Sequence, residues 1–156
     1  MIQAIVLDTT PLGLVVQRTG YPKAMRCRIW LAQHADAGGI IFVPDIIDYE
    51  LRRELLRLRL SQSIHRLDQF YSSPGVRRLP ITTSTLTRAA ELWAQVRQQG
   101  MPTADRAALD IDVILAAQAL SCGVPVNDLC VATSNVRHLA RFVPAQEWTA
   151  LAPPLA

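Results

Sequence analysis

Residues 2–7, Ile-Gln-Ala-Ile-Val-Leu, form a short, almost continuous apolar run that stops at Asp8. Such a run fits a strand buried on both faces, the kind found in parallel sheets sandwiched by helices. No other feature constrains the chain as much, because such a strand needs neighbours on both edges and cover on both faces. Ile40-Ile41-Phe42-Val43, closed by Pro44, reads as a second such strand, and residues 129–133 as another. A weaker strand is expected within residues 76–81, after the turn signal Ser72-Ser73-Pro74-Gly75, and a last edge strand at 142–144. Between them the apolar period is helical. One helix is predicted over residues 22–37, with Met25, Ile29 and Ala32 on a stripe, and one from about Asp45 with Leu51, Leu55 and Leu58. Further helices are expected over 61–71, from Thr83 or Ser84 to Gly100 with Leu86, Ala90, Trp93 and Val96, over 105–122, and over 135–141. Met101 to Ala104 reads as a loop. Strands alternating with helices predict an α/β fold on a parallel sheet.

The chain has 156 residues, half of them hydrophobic, enough for one domain with a core that needs no staples. That domain is expected over residues 1–144, with a C-terminal tail at 145–156 holding Pro153-Pro154. No apolar run has the length of a membrane span, and Met1-Ile2-Gln3 lacks the form of a signal peptide, so a soluble cytoplasmic protein is expected. Cys27, Cys122 and Cys130 are scattered, which suggests reduced thiols rather than a zinc site or a disulfide framework. The net charge of +3 permits a nucleic-acid partner without demonstrating one.

In open α/β sheets, ligands bind beyond the carboxyl ends of the strands. Asp8 ends the first strand, Glu50 follows the second, and Asn135 follows the strand at 129–133. Asp112 opens Val113-Ile114-Leu115-Ala116-Ala117, a stretch too apolar to face water, so its carboxylate lies near the same rim or is buried at a cost. Carboxylates that share a site repel one another unless a cation joins them, and oxygen-only donors favour Mg²⁺ or Mn²⁺ over zinc. Each residue also has a plainer reading. Asp8 suits a turn or cap before Thr9-Thr10-Pro11, Glu50 a solvated helix face, and Asn135 an N-cap. Glu54 competes with Glu50, and Asp110 with Asp112.

Four blocks then occur in an order that resembles PIN domains, and among them the VapC-like ribonucleases of bacteria. They are Ile5-Val6-Leu7-Asp8-Thr9-Thr10, Tyr49-Glu50-Leu51-Arg52-Arg53-Glu54-Leu55, Asp112-Val113-Ile114-Leu115-Ala116-Ala117-Gln118-Ala119-Leu120 and Ala132-Thr133-Ser134-Asn135-Val136-Arg137-His138-Leu139. The resemblance implies a three-layer α/β/α sandwich with a parallel sheet of about five strands. It also implies a divalent-metal-dependent endoribonuclease using Mg²⁺ or Mn²⁺, with RNA as substrate, the toxin of a toxin–antitoxin pair. By that resemblance Asp8, Glu50 and Asp112 are metal ligands, Asn135 completes the catalytic set, and Thr10 and Thr133 support it. A cognate antitoxin would place an arginine in the acidic pocket, and homodimers are expected, with apolar residues around Trp30 and Leu58 as candidate contacts. Arg52, Arg53 and Arg57 are candidate RNA-binding residues; Arg52, Arg59 and Arg66 are seven apart, with a helix break near Ser61 interrupting the stripe. The segment before Asn135 is longer than in compact members, which offers Asp128 as a further rim acid.

Two other classes compete. One is a catalytically silent PIN-like module that binds RNA or protein. The other is an aspartyl phosphatase of the haloacid-dehalogenase-like kind. Thr10 stands where the latter carries an acid, and the chain's sole lysine, Lys23, comes too early to serve it.

Overall fold

The computed structural model describes residues 2–100 and 106–152. The element order is β1 (Ala4–Leu7), α1 (Thr9–Val15), α2 (Pro22–Asp36), β2 (Ile40–Pro44), α3 (Asp45–Arg57), α4 (Ser61–Phe70), β3 (Val76–Leu79), α5 (Thr83–Gln98), α6 (Arg106–Leu120), β4 (Leu129–Ala132), α7 (Val136–Leu139), β5 (Ala145–Gln146) and α8 (Trp148–Leu151). A single turn of 3₁₀ helix, Val126–Asp128, precedes β4. The expected loop at Met101–Ala104 and Pro153-Pro154 lie outside the described residues.

All four strand pairings are parallel, and the sheet order is β3-β2-β1-β4-β5. This is the three-layer α/β/α sandwich that the apolar strands call for. Every residue of β1 and β4 is buried, as central parallel strands require. β3 is an edge strand and leaves Arg77 and Arg78 exposed. The chain winds from β1 out to β3, then returns to place β4 on the other side of β1. The strand order therefore reverses between β1 and β4, and a crevice opens beyond their carboxyl ends.

Several expected details move. The last strand is Ala145–Gln146 rather than residues 142–144; Phe142 and Val143 donate backbone N–H groups to Leu139 in a turn instead. Residues placed in a tail from 145 thus supply a strand, and Trp148, 1% exposed, packs in the core with its ring 5.8 Å from Trp30. Trp30 is therefore a core residue and not a surface contact, whereas Leu58 is exposed. On α2 the buried face is Ala24, Cys27, Trp30 and Leu31, leaving Met25, Ile29 and Ala32 outside. On α5 it is Thr85, Ala89, Leu92 and Val96, with Leu86 and Ala90 outside. Both helices carry apolar side chains on two faces, and only tertiary packing chooses between them. The cap of α5 is Thr82, which exchanges hydrogen bonds with Thr85 in a capping box.

Gln118, 1% exposed on α6, joins the layers where they meet the sheet's carboxyl edge. Its Nε2 donates to the Leu79 carbonyl at 2.6 Å and its Oε1 accepts from the Ile46 N–H at 3.3 Å. One buried amide thereby ties the end of β3 and the start of α3 to α6.

Candidate active site

β1 carries Asp8 to the crevice and holds it there, because the Asp8 N–H still pairs with the Ala132 carbonyl at 3.0 Å. The chain then turns directly into α1, with Asp8 as N-cap and its Oδ1 accepting from the Thr9 N–H at 2.7 Å. This helix was not anticipated, although an Asp cap followed by Pro11 in the first turn is a helix-start signal. Asp8 Oδ2 accepts from the Thr133 hydroxyl at 2.6 Å, and Thr133 Oγ1 accepts in turn from the Asn135 N–H at 2.7 Å. The fully buried Thr133 thus links the ends of β1 and β4 across the reversal point.

Glu50, a turn and a half into α3, is half-buried and receives a short hydrogen bond from the Thr9 hydroxyl. Its neighbour Glu54 is exposed and held by Arg57 at 2.7 Å. Thr10 and Ser134 share a hydrogen bond of 2.8 Å at the exposed rim. Thr9 and Ser134 were not singled out in the sequence; their only signal is adjacency to Asp8 and to Asn135. Asn135 starts α7 without a side-chain capping bond, so its amide is not spent on the plainer role.

Asp112 comes from α6, the opposite wall, and is 9% exposed, while Asp110 faces outward. Asp128 sits before β4, at the amino end of the sheet, away from the crevice. Burial first, then the negative charges of Asp8 and Glu50, push the Asp112 carboxyl up to about 7; Arg141 opposes this. Burial likewise raises Asp8, against the hydrogen bonds from Thr133 and Thr9, and the charge of Glu50 adds to it. Three carboxylates from distant segments therefore feel one another across one crevice.

That donor set suits a hard divalent cation: the ligands are oxygens, and they carry mutual repulsion that a cation would relieve. Among the described residues, no three Asp, Glu, His or Cys side chains stand close enough together to hold a metal ion as they are placed. The coupling runs through charge across the pocket.

A pH effect follows for the metal-free protein. The folded-state value of Asp112, about 7, lies above its ordinary 3.8, so the folded chain holds this proton more tightly than the unfolded one. The corresponding stability is fully present below about pH 4 and is lost as pH rises through 7. Asp112→Asn is expected to stabilise the protein at pH 8 in EDTA by on the order of 4 kcal/mol, seen as a raised melting temperature, and to change it little at pH 4. Thermal melts of both proteins at the two pH values check this.

The candidate RNA-binding arginines divide. Arg52 grips Asp48 through Nε and Nη2 at 2.8 and 3.0 Å and reaches Asp68 at 2.8 Å. Arg57 is engaged by Glu54. Arg53 lies nearest the site, over the Tyr49 ring and 4.0 Å from Glu50. Arg59 sits in the left-handed turn after α3 (φ 56°) and breaks the seven-residue stripe. A cavity of about 530 Å³ lies elsewhere, lined by Leu31, Phe70 and Val76 with Arg28 and Arg66, and none of the crevice carboxylates faces it.

Among known proteins, the model of the PIN domain family matches residues 5–140. Solved structures of similar fold include VapBC2 from Rickettsia felis bound to a DNA fragment from its promoter, at TM-score 0.69 and 16% identity, covering 92% of this chain and 98% of that one. DNA-bound VapBC from Salmonella typhimurium follows at 0.67 and 18%, covering 95% and 99%. FitAcB from Neisseria gonorrhoeae stands at 0.56 and 21%, covering 90% and 95%. At such identities the likeness is one of fold. No curated protein matches the chain in sequence.

Proposed function

The chain belongs to the PIN domain family, and from that premise we propose that it is a divalent-metal-dependent endoribonuclease whose site is the crevice between β1 and β4. The observation that carries this reading is the hydrogen-bonded run Glu50–Thr9–Asp8–Thr133 at the sheet's reversal point, with the buried carboxylate of Asp112 on α6. Asp8, Glu50 and Asp112 are the proposed ligands of Mg²⁺ or Mn²⁺. A cation held there would supply activation of water and stabilisation of charge on a phosphodiester.

The chain's own residues do the rest. Thr133 and the Thr9 N–H hold both oxygens of Asp8, so its carboxylate presents one orientation to the crevice. The Thr9 hydroxyl fixes Glu50 in the same way. Asp112 closes the proposed ligand set from α6, where a bound cation would offset its repulsion with Asp8 and Glu50. Asn135 is proposed to hydrogen-bond the substrate, and Thr10 with Ser134 to bound the rim on that side. For steering RNA, Arg53 is the first choice, since it lies beside Glu50 at 4.0 Å while Arg52 and Arg57 are hydrogen-bonded to acids outside the crevice.

The same fold occurs in structures described as VapBC complexes. We extend this to a proposed antitoxin partner for this chain, for which co-purification with the product of an adjacent reading frame is the test. Among the described residues no helix is long and apolar enough to cross a membrane.

The experiment for the activity is incubation with a structured RNA in Mn²⁺, in Mg²⁺ and in EDTA. Cleavage in either ion that stops in EDTA supports the reading. An RNA left whole in both ions, by protein shown to bind them, would turn it towards a silent module.

A further inference from the structure

Arg141 follows α7 directly, on the same short piece of chain that Asn135 begins. Its guanidinium is anchored on one edge: Nε donates to the His138 carbonyl at 3.0 Å, and the group lies 5.2 Å from the centre of the Phe142 ring. The other edge is unpaired. Nη2 is buried and has no hydrogen-bond partner, which is rare for a charged donor inside a native protein. No acid among the described residues forms an ion pair with it, yet its charge reaches Asp112 and so lies within the field of the crevice. Other arginines are spent elsewhere: Arg52, Arg57, Arg78 and Arg88 on carboxylates, and Arg28 and Arg66 on backbone carbonyls.

We propose that Arg141 binds a backbone phosphate of the RNA substrate, its unpaired guanidinium edge forming the cationic wall of the crevice opposite the carboxylates. A planar guanidinium fixed through Nε presents its remaining N–H groups in a fork that suits phosphate oxygens. The position is useful because three carboxylates would otherwise repel the strand they are to receive. This inference rests on the ribonuclease reading of the same crevice.

The test is binding of a fluorescein-labelled single-stranded RNA, followed by anisotropy across a salt series, in EDTA and again in Ca²⁺. Wild type, Arg141→Gln and Arg141→Lys are compared, each with a thermal melt. The glutamine variant is expected to bind roughly tenfold more weakly, with the slope of log affinity on log salt reduced by about 0.7. The lysine variant should restore most of the slope and only part of the affinity, since it keeps the charge and loses the fork. Unchanged affinity and slope in the glutamine variant, with wild type binding RNA, overturns the proposal and leaves the ribonuclease reading intact. Equal weakening in both variants together with equally lowered melting temperatures also overturns it, in favour of a structural role. If wild type binds no RNA in either condition, the ribonuclease reading fails, and this inference with it.

Discussion

The Asp8→Asn protein is expected to fold as the parent does and to cleave RNA about two to three orders of magnitude more slowly. Both halves come from the same geometry. Asn caps a helix about as well as Asp, so α1 keeps its start. Its amide can still accept from the Thr9 N–H, and Thr133 can turn its hydroxyl to suit the other side, since Thr133 Oγ1 already accepts from Asn135 and retains a lone pair. The charge is what disappears. Burial and the charge of Glu50 work against an ionised Asp8 in the metal-free protein, so neutralising it does not cost stability. A large loss of rate with an unchanged melting temperature is the signature of a ligand. A matching loss of both would return Asp8 to a purely structural cap.

Asp48→Ala is expected to have the largest effect on stability, a loss of about 2–3 kcal/mol. Asp48 is 5% exposed and never enters the crevice, yet it organises the helix that carries Glu50. It accepts two hydrogen bonds from Arg52 and one from the Tyr71 hydroxyl, with Arg78 3.8 Å away. Arg52 continues to Asp68 on α4, and Arg78 to Asp45 at the start of α3. Removing the acid leaves the Tyr71 hydroxyl without its acceptor, and Arg52 and Arg78 with only Asp68 and Asp45. Burial pushes the Asp48 carboxyl up, but the bonds from Arg52 and Tyr71 and the nearby positive charges outweigh it and hold it below its ordinary value. Its contribution is therefore present above about pH 4, the unfolded value, and is lost as pH falls through the folded one. Urea unfolding of both proteins at pH 7 and pH 2.5 checks this, and the gap between them should narrow at the lower pH.

Asp8 and Asp112 are legible in the sequence because each stands next to an apolar run that dictates burial, whereas Glu50 stands among polar helix residues and is singled out by the family resemblance. Asp8 terminates a strand that has to be central, and Asp112 opens a stretch that has to face inward. What places them together is the order of the strands, which depends on crossovers that no local pattern encodes. β1 beside β4 is the pairing that joins Asp8 to Thr133 and Asn135. The faces of α2 and α5 escaped for a related reason, since each presents two apolar stripes of similar strength. Arg52 is different. Its partner Asp48 stands four residues earlier on the same helix, a spacing that announces an ion pair and argues against a phosphate track. Residues beyond 144 read as a tail because they are short and Pro-rich at the end; Trp148 contradicts that, since so large an apolar side chain is seldom left outside. Arg141 offered no sequence signal. Only the burial of one nitrogen and the nearness of Asp112 bring it forward.

Asp8, Glu50 and Asp112 are proposed together to bind a divalent cation at the reversal point of the sheet. Anomalous diffraction from crystals grown with Mn²⁺ tests it most directly. A manganese peak in contact with carboxylate oxygens of these residues is the predicted result. A crevice without such a peak, at Mn²⁺ concentrations that support RNA cleavage in solution, would contradict it.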